Sequence, residues 1–157
     1  MRVTGILRKT AIFGALGVAL SIMPTTGVSA SATSASGQRD LYGSCKTGKY
    51  RGTARAFYTP SNGYDTIHEI VYYLSDNPIS GGPGDKSNVR LRIREILSNR
   101  PDRSLWTWIS GDNVKSGYHR KYPNKKVKYS ITWDIEFSFT FDVPGLDPSC
   151  SGDTNNA

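Results

Sequence analysis

Val127-Lys128-Tyr129-Ser130-Ile131-Thr132-Trp133-Asp134-Ile135-Glu136-Phe137-Ser138-Phe139-Thr140-Phe141-Asp142-Val143 is the stretch that decides the fold class. Every odd position is apolar and every even position is polar across these 17 residues. Side chains alternate across a β-strand, so this pattern describes a strand with one buried face and one wet face. A single strand of that length would run roughly 50 Å, longer than ordinary strands. No Gly or Pro interrupts it to make a turn. The stretch is therefore expected to bend or bulge and to serve two sheets.

Shorter segments agree. Lys49 to Tyr58 reads as a strand, and Pro60-Ser61-Asn62-Gly63 as the turn of a hairpin. Asn88 to Arg94 alternates Val89, Leu91 and Ile93 with Arg90, Arg92 and Arg94, and Ser104 to Ser110 is aromatic and β-branched. Asp65 to Leu74 is ambiguous. Ile67, Ile70, Val71 and Leu74 have helical spacing behind a capping-box-like Thr66-x-x-Glu69, while Ile, Val and two Tyr favour a strand with His68, Ile70, Tyr72 and Leu74 on one face. The Pro- and Gly-rich run Ser75 to Lys86 is a loop. These readings add up to an all-β, single-domain antiparallel β-sandwich of about six to eight strands. The alternative is an α+β domain with one short helix near 66–74.

The 157-residue chain opens with Arg2, Arg8 and Lys9, then an apolar run from Ala11 to Met23, then Pro24 and the small residues Val28-Ser29-Ala30. That is the order of a secretory signal peptide, assigned to residues 1–30, with a flexible Ser/Ala/Thr-rich leader over 31–44. The folded domain is placed at 45–150, with a disordered tail over 151–157. No other apolar run reaches membrane-spanning length, so no membrane insertion is expected of a secreted, monomeric product. Cys45 and Cys150 are the only cysteines. In an exported chain they read as a disulfide that ties the two ends of the domain.

Removing the signal takes three bases from a net charge of +7, leaving +4, and that remainder is unevenly spread. Residues 31–85 carry five bases and five acids, 86–128 twelve bases and three acids, and 129–157 five acids and no base. Two features of the basic third point to a ligand. Arg90, Arg92 and Arg94 share one strand face, about 6.6 Å apart, which suits a repeating anion. The competing structural role is equally physical: Asp134 and Glu136 on a neighbouring strand would make the row a set of cross-strand ion pairs. The second feature is Lys115 to Lys128, where His119, Arg120, Lys121, Lys125 and Lys126 are interleaved with Tyr118 and Tyr122. Cations beside rings suit anionic sugars or bases, although the same run would serve as a solvated loop protecting an edge strand.

Catalytic signatures are sparse. Two histidines exclude a three-His zinc site, no H-E-x-x-H, G-x-S-x-G or P-loop occurs, and no metal or cofactor is expected. The one coherent catalytic set is Glu69 or His68 as base, an arginine of the 90–94 row as phosphate clamp and His119 as acid, in a ribonuclease-like hydrolase that uses Glu69 and His119. A third reading is a proteinase inhibitor or toxin-like protein acting through the 75–86 loop. Trp106 and Trp108 share a face, either core or an exposed sugar platform, and Trp133 belongs to the core row. The expectation that needs fewest coincidences is a binding module rather than an enzyme. It would recognise an extracellular anionic polymer or glycan, or a nucleic acid, through Arg90, Arg92, Arg94, His119, Arg120, Lys121, Lys125 and Lys126.

Overall fold

A computed structural model describes residues 37–75 and 84–157, which contain nine strands and no helix. The expected signal peptide and most of the 75–86 loop lie outside the described residues. The strands are β1 (Arg39–Thr47), β2 (Tyr50–Ser61), β3 (Tyr64–Leu74), β4 (Asn88–Glu95), β5 (Arg103–Ile109), β6 (Gly117–Lys121), β7 (Lys125–Lys128), β8 (Trp133–Thr140) and β9 (Ser149–Asp153). They form two antiparallel sheets. A five-stranded sheet runs β1-β2-β3-β6, with β7 also paired to β3, and a four-stranded sheet runs β5-β4-β8-β9. The β-sandwich is thus as the alternation requires, with one strand more than the upper expectation.

The long alternating stretch divides between the sheets. Val127 lies on β7 in the five-stranded sheet, and Trp133 to Thr140 form β8 in the other. Between them the chain turns, with the Ile131 amide donating to the Lys128 carbonyl at 3.0 Å. Alternation survives the turn because the core lies between the two sheets: Val127, Trp133, Ile135, Phe137, Phe139 and Phe141 are all buried, whereas Tyr129 at the turn is exposed.

The facing sheet meets this aromatic row with small residues. Ala54 and Ala56 are fully buried on β2. A Cβ at Gly52 would stand 2.1 Å from the Phe139 ring, and one at Gly43 would stand 2.3 Å from the Asp153 carbonyl oxygen. Large side chains on one sheet thus interdigitate with near-absent ones on the other, as close packing demands. Asn62 and Gly63 form the two-residue β2–β3 loop, both at positive φ (51° and 80°), as a type I′ hairpin turn requires.

The ambiguous segment 66–74 is strand, and its mixed signature has a physical cause. The β2–β3 register shifts between Phe57 and Tyr58, so that Glu69 faces Phe57 and Ile67 faces Tyr58. His68 is the extra residue of a β-bulge. The bulge resets the alternation, burying Ile67 before it and Ile70, Tyr72 and Leu74 after it while His68 is exposed. The i, i+3 apolar spacing that imitates a helix is the bulge itself. His68 therefore does not share the face of Ile70, Tyr72 and Leu74.

Two domain boundaries are corrected. The leader ends by Arg39, since 39–44 belong to β1. Residues 151–157 are not a loose tail: 151–153 complete β9, Thr154 is buried with its hydroxyl accepting the Ile135 amide at 3.0 Å, and the Ala157 amide donates to the Trp133 carbonyl at 3.0 Å. Asn155 reaches across to β1, where its side-chain oxygen accepts the Tyr42 amide at 2.8 Å. The Cys45–Cys150 disulfide fastens this same seam between β1 and β9, across a sequence separation of 105.

Candidate functional site

The arginine row of β4 lies beside β8 in the register that pairs Arg92 with Glu136 and Arg94 with Asp134. Arg94 grips Asp134 with two bonds, Nε to Oδ1 at 2.8 Å and Nη2 to Oδ2 at 2.7 Å, and reaches Asp153 at 3.0 Å and Asp102 at 3.4 Å. Arg92 is ion-paired with Glu136. Arg90 is exposed and stands opposite Ser138. Asp134, expected on the wet face, is 1% exposed beneath Arg94. Burial raises its pKa above the ordinary carboxylate value, against the Arg94 bonds that pull it down. Two members of the row are thus committed to the cross-strand pairs that the sequence offers as the competing role.

Charge separates by sheet. The strands of the four-stranded sheet hold four bases (Arg90, Arg92, Arg94, Arg103) and four acids (Glu95, Asp134, Glu136, Asp153). Those of the five-stranded sheet hold nine bases against three acids, Asp40, Asp65 and Glu69. The basic stretch 115–128 supplies five of the nine. It is not a loop but the edge strands β6 and β7, which pair with successive halves of β3.

Inner and outer positions on these strands have different fates. His119 lies across from Tyr72 and stacks on its buried ring at 5.1 Å, while its Nε2 sits 2.7 Å from the Lys115 carbonyl. Burial pushes the Tyr72 phenol up to about 12. Lys121 extends its ammonium over Trp108, 4.0 Å from the ring centroid. Trp106 and Trp108 are half-buried against the core while Ile109 is 65% exposed, so the tryptophan face is the inner one and no exposed tryptophan platform forms. Lys125 is half-buried on the Val127 side, and Lys126 is exposed.

The outer face of the five-stranded sheet carries a cleft of about 530 Å³. Strand register arranges this face as a grid, since cross-strand partners share a face. Tyr118, Tyr73, Thr53 and Ser44 make one row, and Arg120, Val71, Arg55 and Tyr42 the next. Glu69, Phe57 and Asp40 make a third. Short Thr53 and Val71 at the centre, with long side chains around them, hollow the face. Neighbouring columns are about 4.8 Å apart, so the four-strand row spans roughly 14 Å.

Polar contacts hold the walls in place. Arg120 Nη1 donates to Glu69 Oε1 at 2.6 Å, Arg55 Nε to Asp40 Oδ2 at 2.9 Å, and Arg51 Nη2 to the Tyr42 hydroxyl at 3.2 Å. The carboxylates raise the pKa of Arg120 and Arg55 above an already high value. The Arg55 guanidinium also lies over the Phe57 ring at 5.1 Å, and Tyr73 packs on Tyr118 at 4.6 Å. Arg51 continues the face toward a second hollow lined by Ser44, Lys46 and Lys49.

Of the residues singled out by sequence, the cleft uses Glu69, Tyr118 and Arg120, with Lys126 farther along the same outer face. It does not bring together the hydrolase pair: Glu69 is on the outer face and His119 on the inner one, because Arg120 pairs with Val71 and His119 with Tyr72. Sequence reasoning misses Tyr42, Arg51, Arg55, Phe57 and Tyr73. The signal for three of them is present: Arg51, Arg55 and Phe57 sit at alternate positions of a segment that reads as a strand, opposite the Ala face. No grouping of three or more His, Cys, Asp or Glu suited to a metal occurs among the described residues, and no helix among them is long and apolar enough to cross a membrane. No protein-family model matches the chain, and no curated protein or solved structure matches it either.

Proposed function

We propose that this protein is an extracellular binding module that grips an anionic glycan on the outer face of its five-stranded sheet. The observation that carries this reading is the division of charge by sheet: the strands of one are balanced within themselves, while the outer face of the other holds Lys46, Arg51, Arg55, Arg120, Lys126 and Lys128 against Asp40 and Glu69, with the three arginines lining an aromatic-walled cleft. A cleft of this volume lies within the range of ligand sites. Tyr42, Phe57, Tyr73 and Tyr118 offer ring faces to a sugar, the three tyrosines add hydroxyls, and Arg51, Arg55 and Arg120 offer donors to its acidic group. Export rests on the order of charged, apolar and small residues at the N-terminus, and the disulfide is consistent with an oxidising compartment. The separation of Glu69 from His119 across the sheet favours binding over hydrolysis.

The test is equilibrium binding of the mature chain to acidic oligosaccharides across a salt series. Affinity should fall as salt rises, because exposed charge pairs are screened. It should fall about tenfold in Arg51→Ala and in Arg120→Ala, the loss of one good charged contact. Affinity that is indifferent to salt and to both substitutions would overturn the reading.

A further inference from the structure

Charge on the outer face is not uniform along the strand axis. Lys46 and Arg51 stand at one end, paired across β1 and β2. Lys126 and Lys128 stand at the other, opposite Thr66 and Tyr64 of β3. Between these ends lies a waist where the two acids of the face, Glu69 and Asp40, flank Phe57 and occupy Arg120 and Arg55. From Arg51 to the level of Thr59, which faces Thr66, is eight residues of strand, roughly 26 Å. A ligand lying along the strands meets cations, then a neutralised aromatic waist, then cations again.

This spacing selects among polyanions, and we infer that the ligand is a heteroglycan alternating acidic with neutral sugars. The inference rests on the proposed glycan-binding role of this face. A chain with a charge on every unit, whether a homopolymeric uronate or a single-stranded nucleic acid, must set some of its anions against Glu69 and Asp40. Like charges in apposition cost affinity, so the acids act against such chains. A neutral sugar at the waist meets no such repulsion. Its ring lies against Phe57, with Tyr42 in the next row, and its hydroxyls donate to the carboxylate oxygens left over from the Arg55 and Arg120 bonds. Its acidic neighbours fall one row away on either side, toward Lys126 and toward the N–H groups of Arg55 and Arg120 that face away from Asp40 and Glu69, and Arg51 and Lys46 meet an acid farther along the chain.

The experiment compares length-matched oligosaccharides by titration calorimetry: hyaluronate (alternating uronate and N-acetylhexosamine), oligogalacturonate (all uronate) and a chitin oligomer (no acid), together with a single-stranded oligothymidylate. The wild type should bind hyaluronate most tightly. Asp40→Asn/Glu69→Gln, with its fold checked by circular dichroism, should tighten oligogalacturonate about three- to fivefold, the scale of removing exposed like charges, and shrink the preference. Oligogalacturonate or oligothymidylate binding as tightly as hyaluronate, with Arg51 and Arg120 still required, overturns the inference and leaves the binding face standing. A neutralised variant that loses affinity for every acidic chain overturns it in the same way. Failure of the wild type to bind any of the four overturns both.

Discussion

Replacing Arg94 by Met should expose what the buried charge cluster does. Asp134 is 1% exposed, and its two strongest contacts are the Arg94 bonds at 2.8 and 2.7 Å. Removing the guanidinium leaves that carboxylate without its cation, a change that costs about 3–5 kcal/mol in buried pairs. Asp134→Asn should cost less, about 1–2 kcal/mol, because Arg94 keeps Asp153 at 3.0 Å and Asp102 at 3.4 Å. The double variant should recover part of the loss, since no orphan charge remains. The pH dependence has a definite sign. The folded-state pKa of Asp134 is already raised by burial, with Arg94 opposing the rise. Without Arg94 it moves further up. A carboxyl whose pKa is higher folded than unfolded destabilises the native state above that folded pKa, and the penalty disappears as pH falls toward the unfolded value. The deficit of Arg94→Met should therefore be largest near neutrality and shrink on acidification. Urea unfolding of wild type and variants at about pH 7 and about pH 4.5 measures it. A deficit below about 1 kcal/mol, or one equal at both pH values, would refute the argument that Arg94 neutralises a desolvated carboxylate.

Other expectations follow from the same structure. Cys45→Ser/Cys150→Ser opens a loop of 105 residues and should lower stability by about 4–5 kcal/mol by chain entropy, read as the difference in unfolding free energy. Gly52→Ala places a methyl 2.1 Å from the Phe139 ring and should cost about 3 kcal/mol; a neutral result in chemical denaturation would mean that Phe139 has room to move. Arg90→Gln should leave glycan affinity within twofold of wild type, because the four-stranded sheet lies outside the proposed face; a tenfold loss in calorimetry would return the site to the arginine row.

The fold is legible where the pattern is local. Alternation at 127–143 identifies the core row and even its service to two sheets, because burying one face needs only period two. Asn62-Gly63 identifies its turn because few residues adopt positive φ twice in succession. What escapes the sequence are β1 and β9, whose inner positions hold Gly43, Cys45, Cys150 and Gly152, the two glycines lying against Phe137, so no apolar rhythm announces them. The bulge at His68 hides a strand behind helical spacing. The site is largely illegible for a different reason. Its walls come from four strands whose neighbours are set by long-range pairing, and the β4 arginines read equally as binding or as structural until the register sets Asp134 and Glu136 beside them. The basic third is distinctive in sequence, but its two halves go to different sheets with opposite fates.

The seam between β1 and β9 also gives the domain a mechanical character. Tension applied at Arg39 and Ala157 first loads residues 39–44 and 151–157, then passes from Cys45 to Cys150 through a covalent bond that carries it past the ladders in between. The 105-residue separation, roughly 350 Å of extensible chain, stays out of the load path until the bond is reduced. The strands between the two cysteines, which carry Arg51, Arg55, Phe57, Tyr73 and Arg120, would then keep their arrangement under a pull that unravels a reduced copy, while Asp40 and Tyr42, ahead of Cys45, would peel away first.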